Sequence, residues 1–264
     1  GSIWERFHRS GMSAKSKHSS AKTGQPHDAA PRRDDGSIRN KVLKILPPAE
    51  LEAVLLRTEM VTIESKEIVW EPDKPIRFVH FPEDCVISLV TDLKSGDQVE
   101  AMTVGNDGFA GLAIFNGLSV SKLLAIGQIT GYSRRIGAED FRQLVEECDD
   151  LRGLMHRYSQ FVFETVSQSA ACNRLHVIEQ RCARWLLMSQ DRVGRDQFDL
   201  TQEFLAVMLG VRRPGVTVAM GVLEKAGLIA HGRGNITVVN RAGLEKAACE
   251  CYATIRERQG TLFL

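Results

Sequence analysis

The features that usually announce a chemistry are missing from this chain of 264 residues. It has no P-loop, nucleophile elbow, His-Glu-x-x-His or dinucleotide glycine fingerprint, so no catalytic constellation stands out and no enzyme is expected. Its six cysteines, Cys85, Cys148, Cys172, Cys182, Cys249 and Cys251, form no CxxC pair and spell out no disulfide framework. No apolar run approaches the roughly 18 residues needed to cross a bilayer. Nor is there a charged-then-apolar leader ending in a small-residue cleavage site. A cytoplasmic chain with reduced thiols and no membrane contact is the expectation. Charge of one sign is lacking too: the formal net charge is only +1, so any basic surface has to be local.

What is present has length enough for two modest domains, each with a real core. Residues 1–37 are rich in Ser, Lys, Arg, Gly and His and poor in large aliphatics, which reads as a disordered arm. From Ile38 to about Arg57 the pattern is helical on either side of Pro47-Pro48. Short β-type runs follow: Val61-Thr62-Ile63, Ile68-Val69-Trp70, Arg77 to Phe81, Val86 to Val90, Val99 to Val104, and Leu123 to Tyr132. Pro, Asp and Gly clusters separate them, a spacing that predicts a small β-barrel or β-roll over residues 38–148. Beyond Ala138-Glu139-Asp140 the period turns helical, first briefly through Phe141, Leu144 and Val145. A long helix then runs from Asp149 to about Cys172, within a unit of dimer helix and hinge at 149–176.

That helix carries two apolar lines, Leu151, Leu154, Tyr158, Phe161 and Met155, Val162, Val166, Ser169. A helix apolar on two sides has to be covered twice, either wholly by its own core or by its own core and a second copy of itself. The second copy is the expected partner, with Leu151, Met155, Tyr158, Val162, Val166 and Ser169 as the dimer seam. After a joint at Asn173 to His176, a further helix from Val177 to about Asp191 leads into a C-terminal domain at 177–264.

The most informative stretch lies there, between Leu200 and Val239. Thr201 can cap a helix that buries Leu205, Met208 and Leu209. Gly210 permits a positive φ and a tight turn into a second helix roughly 90 to 120° away. In that second helix Val216, Met220 and Leu223 point inward, which sends Arg212, Arg213, Thr217 and Val218 to the start or the outer side. Pro214 suits the first turn. Past Gly227, two short β-type runs joined through Gly232-Arg233-Gly234 make a wing. Five Lys and Arg against two acids between Thr201 and Arg241 give a local net of +3, placed where phosphates would be met.

A β-roll, a long helix and a winged helix-turn-helix in this order resemble the cyclic-AMP receptor and fumarate-nitrate regulator (CRP/FNR) family of bacterial transcription factors. The resemblance spans roughly residues 40 to 245. It is strongest at Thr201-Gln202-Glu203-Phe204-Leu205-Ala206-Val207-Met208-Leu209-Gly210-Val211-Arg212-Arg213 and at Ala230-His231-Gly232. It implies an α+β fold with a cyclic-nucleotide-binding-like jelly roll, and a homodimer that binds a palindromic double-stranded operator and works with RNA polymerase. By the same resemblance Thr201 and His231 match phosphate-contacting positions, while Arg213 matches the arginine that reads a guanine edge. Gln202, Arg212, Thr217, Val218 and Arg233 complete the expected DNA-binding set. Pro214 and Val218 stand where well-known members have a glutamate and a second reading arginine, so the recognised half-site should differ, with Thr217 and Val218 offering methyl contacts to thymine.

Cyclic-nucleotide binders of the family hold the ribose with a Gly-Glu pair and the phosphate with an Arg-Ser pair. The matching stretch here, Gly108 to Gly117, has Leu112 at the glutamate's place and only Ser121-Lys122 downstream. Cyclic AMP is therefore not expected as the effector. The family's iron-sulfur scheme implies closely spaced cysteines near the N-terminus, and none precedes Cys85. Cys249 and Cys251, the only close pair, could join Cys172 in a redox or metal site if the fold brought them together, but unconnected thiols are more often packing residues or bystanders, so neither a cofactor nor a metal site is expected. The alternative reading is a small-molecule or thiol-redox sensor whose winged domain mainly contacts protein.

Overall fold

A computed structural model describes residues 37–232 and 234–263. All but the last residue of the expected N-terminal arm, and Arg233 of the wing, lie outside the described residues. Two short helices open the described chain, α1 (Lys41–Lys44) and α2 (Pro48–Leu56). The side chain of Asn40 caps α1 by accepting the N–H groups of Val42 and Leu43. Pro47 and Pro48 have no N–H to donate, so helix cannot run through them and α2 starts afresh with Pro48 in its first turn.

Seven strands form the roll: β1 (Glu59–Ile63), β2 (Ile68–Trp70), β3 (Phe78–Pro82), β4 (Val86–Asp92), β5 (Gln98–Val104), β6 (Leu124–Ile129) and β7 (Gly131–Gly137). They pair antiparallel in two sheets, ordered β1-β7-β3 and β2-β6-β4-β5. In register, Leu89 stands opposite Met102 on one side and Ala125 on the other. The run from Leu123 to Tyr132, expected as one strand, belongs to two strands in different sheets. The chain changes sheet at Thr130-Gly131, pressed so close to its neighbour that a Cβ on Gly131 would meet Asp84 Oδ1 and the Cys85 nitrogen, each at 2.6 Å.

A short α3 (Leu112–Phe115) interrupts the roll between β5 and β6, and α4 (Ala138–Glu147) leads from it into α5 (Asp149–Leu175), a helix of 27 residues. The winged domain follows: α6 (Ile178–Val193), β8 (Gln197–Asp199), α7 (Gln202–Leu209), α8 (Arg213–Lys225), β9 (Ile229–His231) and β10 (Asn235–Val238). Its sheet is ordered β8-β10-β9. Two further helices, α9 (Arg241–Ala247) and α10 (Cys251–Leu262), return the chain to the roll, where Ile255 and Leu262 join the core beneath α5. The sequence reading did not anticipate β8, α9 or α10. No single helix among the described residues is long and apolar enough to cross a membrane.

The two domains pack on one another. Every residue of β6 is buried, because the strand is covered twice: Ala125 faces the interior of the roll, whereas Leu124, Ile126 and Ile129 join the core of the winged domain. Polar ties fasten this seam. Arg192 of α6 grips Asp107, its Nε 3.0 Å from each carboxylate oxygen, and also reaches the Thr103 hydroxyl. Gln259 of α10 donates to the same carboxylate at 2.7 Å. Burial alone would raise the Asp107 pKa, but the Arg192 charge and its hydrogen bonds outweigh that and hold the carboxyl below its usual range. Above it, Glu100 accepts from the Ser88 hydroxyl at 2.8 Å and from the Trp185 indole at 3.2 Å. Loss of hydration pushes the Glu100 carboxyl up to about 7 against those two hydrogen bonds.

Candidate nucleic-acid interface

The candidate surface is built by backbone geometry first. Thr201 sits at the N-cap of α7 with extended backbone, and its hydroxyl accepts the Phe204 N–H at 3.2 Å. Leu205, Met208 and Leu209 are buried. At Gly210 φ is +61°, the left-handed region, which lets the chain reverse at once. The bend between α7 and α8 is 106°. Val216, Ala219, Met220 and Leu223 fix α8 to the core from one side.

Opposite them, Arg212, Arg213, Thr217 and Val218 are all exposed. Val218 is 62% exposed, and Val222 one turn later is 48% exposed, so the outer face of α8 is basic at its start and apolar along its length. Val222 was missed in the sequence, although its i+4 spacing from Val218 was there to be read. The Thr217 hydroxyl donates to Gln202 Oε1 at 2.8 Å. This bond spans the two helices, and the same hydroxyl also lies 3.2 Å from the Arg213 carbonyl oxygen.

The expected phosphate-side residues meet at a second feature. Thr201, Gln202, Arg213, His231, Gly232 and Asn235 line one cleft between the start of α7 and the wing. The His231 side chain stands with Nδ1 3.2 Å from Glu224 Oε1, which orients it along the edge of α8. Glu203, in the first turn of α7, also lines this cleft. Such a surface fits a phosphate backbone running past the cleft and base edges under α8.

The expected dimer seam needs correcting. Leu151, Met155 and Tyr158 are at most 1% exposed and lie in the protomer's own core, where Tyr158 packs on Phe109 with ring centroids 4.8 Å apart. Ser169 faces the seam with α6, near Arg184, Trp185 and Met188. Leu151, Met155 and Tyr158 have no surface left for a second copy and Ser169 is half-buried, because both apolar lines are largely satisfied within the chain. Val162 is half-buried against the same core, and Val166 is exposed. Among the large apolar side chains that α5 does present outward are Phe163 in its middle, 68% exposed, and Leu175 at its end, 74% exposed.

In the sensory half, the Gly108 to Gly117 stretch turns Phe109 inward into a cluster with Phe81, Phe141 and Tyr158. The tyrosine approaches so closely that a Cβ on Gly108 would fall 2.1 Å from its hydroxyl oxygen. Lys122, the cation downstream of that stretch in the sequence, is an exposed surface residue paired with Asp73 at 2.6 Å.

Elsewhere, the structure draws together thiols that look unconnected in the sequence. The ligand atoms of Cys172, His176, Cys249 and Cys251 all lie within 4.8 Å of one another. The Cys172 and Cys249 sulfurs are 3.5 Å apart, and Cys251 Sγ is 3.6 Å from His176 Nδ1. The hydrogen bond from Cys249, helped by the Arg184 charge, outweighs burial and brings the Cys172 thiol down to about 5, while that same bond and burial push Cys249 up.

Comparison with known proteins agrees with this geometry. Residues 180–247 match the Crp-like helix-turn-helix domain. Among solved structures, FixK2 from Bradyrhizobium japonicum superimposes with a TM-score of 0.62 at 15% identity, over 73% of this chain and 98% of that one. A CRP-family transcriptional regulator from Thermus thermophilus gives 0.60 at 20% identity, over 71% and 96%. The c-di-GMP-responsive global regulator CLP of Xanthomonas campestris gives 0.58 at 14%, over 73% and 99%. A sequence search of curated proteins gave no match. The molecule is thus a jelly roll joined through a long helix to a winged helix-turn-helix. Its residues 180–247 form a Crp-like helix-turn-helix domain, and the chain as a whole has the fold of the CRP/FNR family of transcription regulators.

Proposed function

We propose that this chain is a homodimeric, sequence-specific DNA-binding transcription regulator of the CRP/FNR type that acts without cyclic AMP. The observation that carries the reading is the outer face of α8, where Arg212, Arg213, Thr217 and Val218 stand exposed on a helix held at 106° to α7. Arg213 reads a guanine edge, and Thr217, Val218 and Val222 contact thymine methyls. Thr201, Gln202 and His231 position the phosphates, with Arg233 assigned the same task from the sequence alone. A second copy joins along the outer line of α5 through Ser159, Phe163, Val166 and Ala170, whose alternating spacing of four and three residues is that of a two-helix seam. This arrangement sets two reading helices about 34 Å apart on a palindrome. Contact with RNA polymerase and a cytoplasmic location belong to the same reading.

Independence from cyclic AMP rests on the Phe81, Phe109, Phe141 and Tyr158 cluster and on the absence, among the described residues of Gly108 to Gly117, of an acid to hold a ribose. A charged nucleotide there would lose its hydration without gaining partners. Calorimetry is expected to show no binding in the low micromolar range, and a large gain in DNA affinity on adding the nucleotide would reverse this part of the reading. DNA binding itself is tested by titrating duplex fragments at several salt concentrations. Affinity should fall steeply as salt rises. Binding that is absent, or insensitive to salt, would favour a winged domain that contacts protein.

A further inference from the structure

We infer that Cys172, His176, Cys249 and Cys251 form a mononuclear metal site of the zinc class, which fastens the end of α5 to the joint between α9 and α10. This revises the expectation that the three cysteines are bystanders and that the chain holds no metal site. Cys172 and His176 are one helical turn apart, so they stack on the same face. The other two ligands arrive from more than seventy residues away in sequence. For metal bonds of the usual zinc length, tetrahedral geometry sets sulfurs about 3.8 Å apart and a sulfur and an imidazole nitrogen about 3.5 Å apart. The observed 3.5 Å between Cys172 and Cys249 and 3.6 Å between Cys251 and His176 Nδ1 lie close to those edges.

The surroundings point the same way. The other ring nitrogen of His176 lies 3.9 Å from Glu250 Oε1, too far for a hydrogen bond but close enough to place a carboxylate beside the ring. Gln168 turns an amide N–H to the Cys251 sulfur at 3.2 Å. Arg181 and Arg184 are each only 6% exposed, and the Nε of each lacks a hydrogen-bond partner. Among the described residues neither forms an ion pair with a carboxylate, although Arg184 lies within electrostatic reach of Glu100, and both lie within electrostatic reach of Cys172 and Cys249. Three thiolates and a neutral imidazole around a divalent ion carry one net negative charge, which answers this buried positive pair. Because α5 ends at this cluster and α6 begins just beyond it, the bound ion fixes the hinge between the long helix and the winged domain.

The test uses the full chain, purified reduced and without chelator, and its readout is independent of DNA binding. Elemental analysis should find one equivalent of zinc per chain. After removal of that metal under reducing conditions, Co(II) alone should bind one equivalent, with the intense visible bands of tetrahedral cobalt and near-ultraviolet thiolate charge transfer, and zinc should displace it. Cys249→Ser and Cys251→Ser should each lose that spectrum, whereas Cys148→Ala keeps it. Zinc should also raise the thermal midpoint of the metal-free wild-type chain, a measurement that stands even if the variants fail to fold. The inference is overturned if the reduced wild-type chain takes up no stoichiometric cobalt. It is equally overturned if the spectrum survives in Cys249→Ser, or if the metal-free protein as isolated carries a Cys172–Cys249 disulfide that accounts for the cluster.

Discussion

At the scale of residues, the proposed DNA contact separates groups that read from groups that position. Arg213 is exposed at the first residue of α8, and a guanidinium there fits guanine O6 and N7 together. Arg213→Ala should cost about 1–3 kcal/mol of binding and relax preference at one base pair per half-site. Thr201→Ala should act differently. It removes the cap on α7, costing about 1 kcal/mol of stability, and should weaken binding to all sequences alike. Titrations on single-base variants of a bound site separate the two, and a uniform loss for Arg213→Ala would remove its reading role. Glu100 offers a test of the seam between domains. Its folded pKa is raised by burial from 4.5 to about 7, so the stability it contributes is fully present below about pH 4.5 and is lost as pH rises through 7. In paired unfolding curves from pH 4 to 8, Glu100→Gln should remove this part of the pH dependence. Wild-type and variant curves that run parallel across that window would contradict the assignment.

At the scale of elements, α5 shows what periodicity can and cannot tell. Its length and helical character were legible, and so were the turn at Gly210 and the inward line of Val216, Met220 and Leu223, because capping, glycine geometry and local spacing act within a few residues. Which apolar line of α5 faces outward was not legible, since the roll and α10 cover more of the helix than the pattern alone reveals. The same limit applies to the run from Leu123 to Tyr132, whose break depends on the close approach of Asp84 and Cys85 to Gly131. It applies to Cys172 and Cys249 as well, whose meeting depends on the return path of α9 and α10. The outward line of α5 yields a prediction. Phe163→Glu sets unpaired charges face to face in an apolar seam and should convert a dimer to a monomer in sedimentation at micromolar concentration. Leaving the assembly unchanged would place the interface elsewhere.

At the scale of the whole molecule, the winged domain is held against the roll by the buried Asp107–Arg192 pair, by Glu100 with Trp185, and by the shared burial of β4 and β6. Roll, long helix and reading helix are therefore mechanically connected, which is what a regulator needs if events at one end are to alter DNA contact at the other. The cluster at the end of α5 lies on that connection. The central claim is that two copies of this chain read a specific palindrome, and the most direct measurement is to let the full-length protein select from a pool of random duplexes and sequence what it retains. The account predicts one enriched motif with two inverted half-sites, centred about one helical turn apart and bound by two chains. Retained duplexes that share no motif, or a lone half-site bound by one chain, would contradict it.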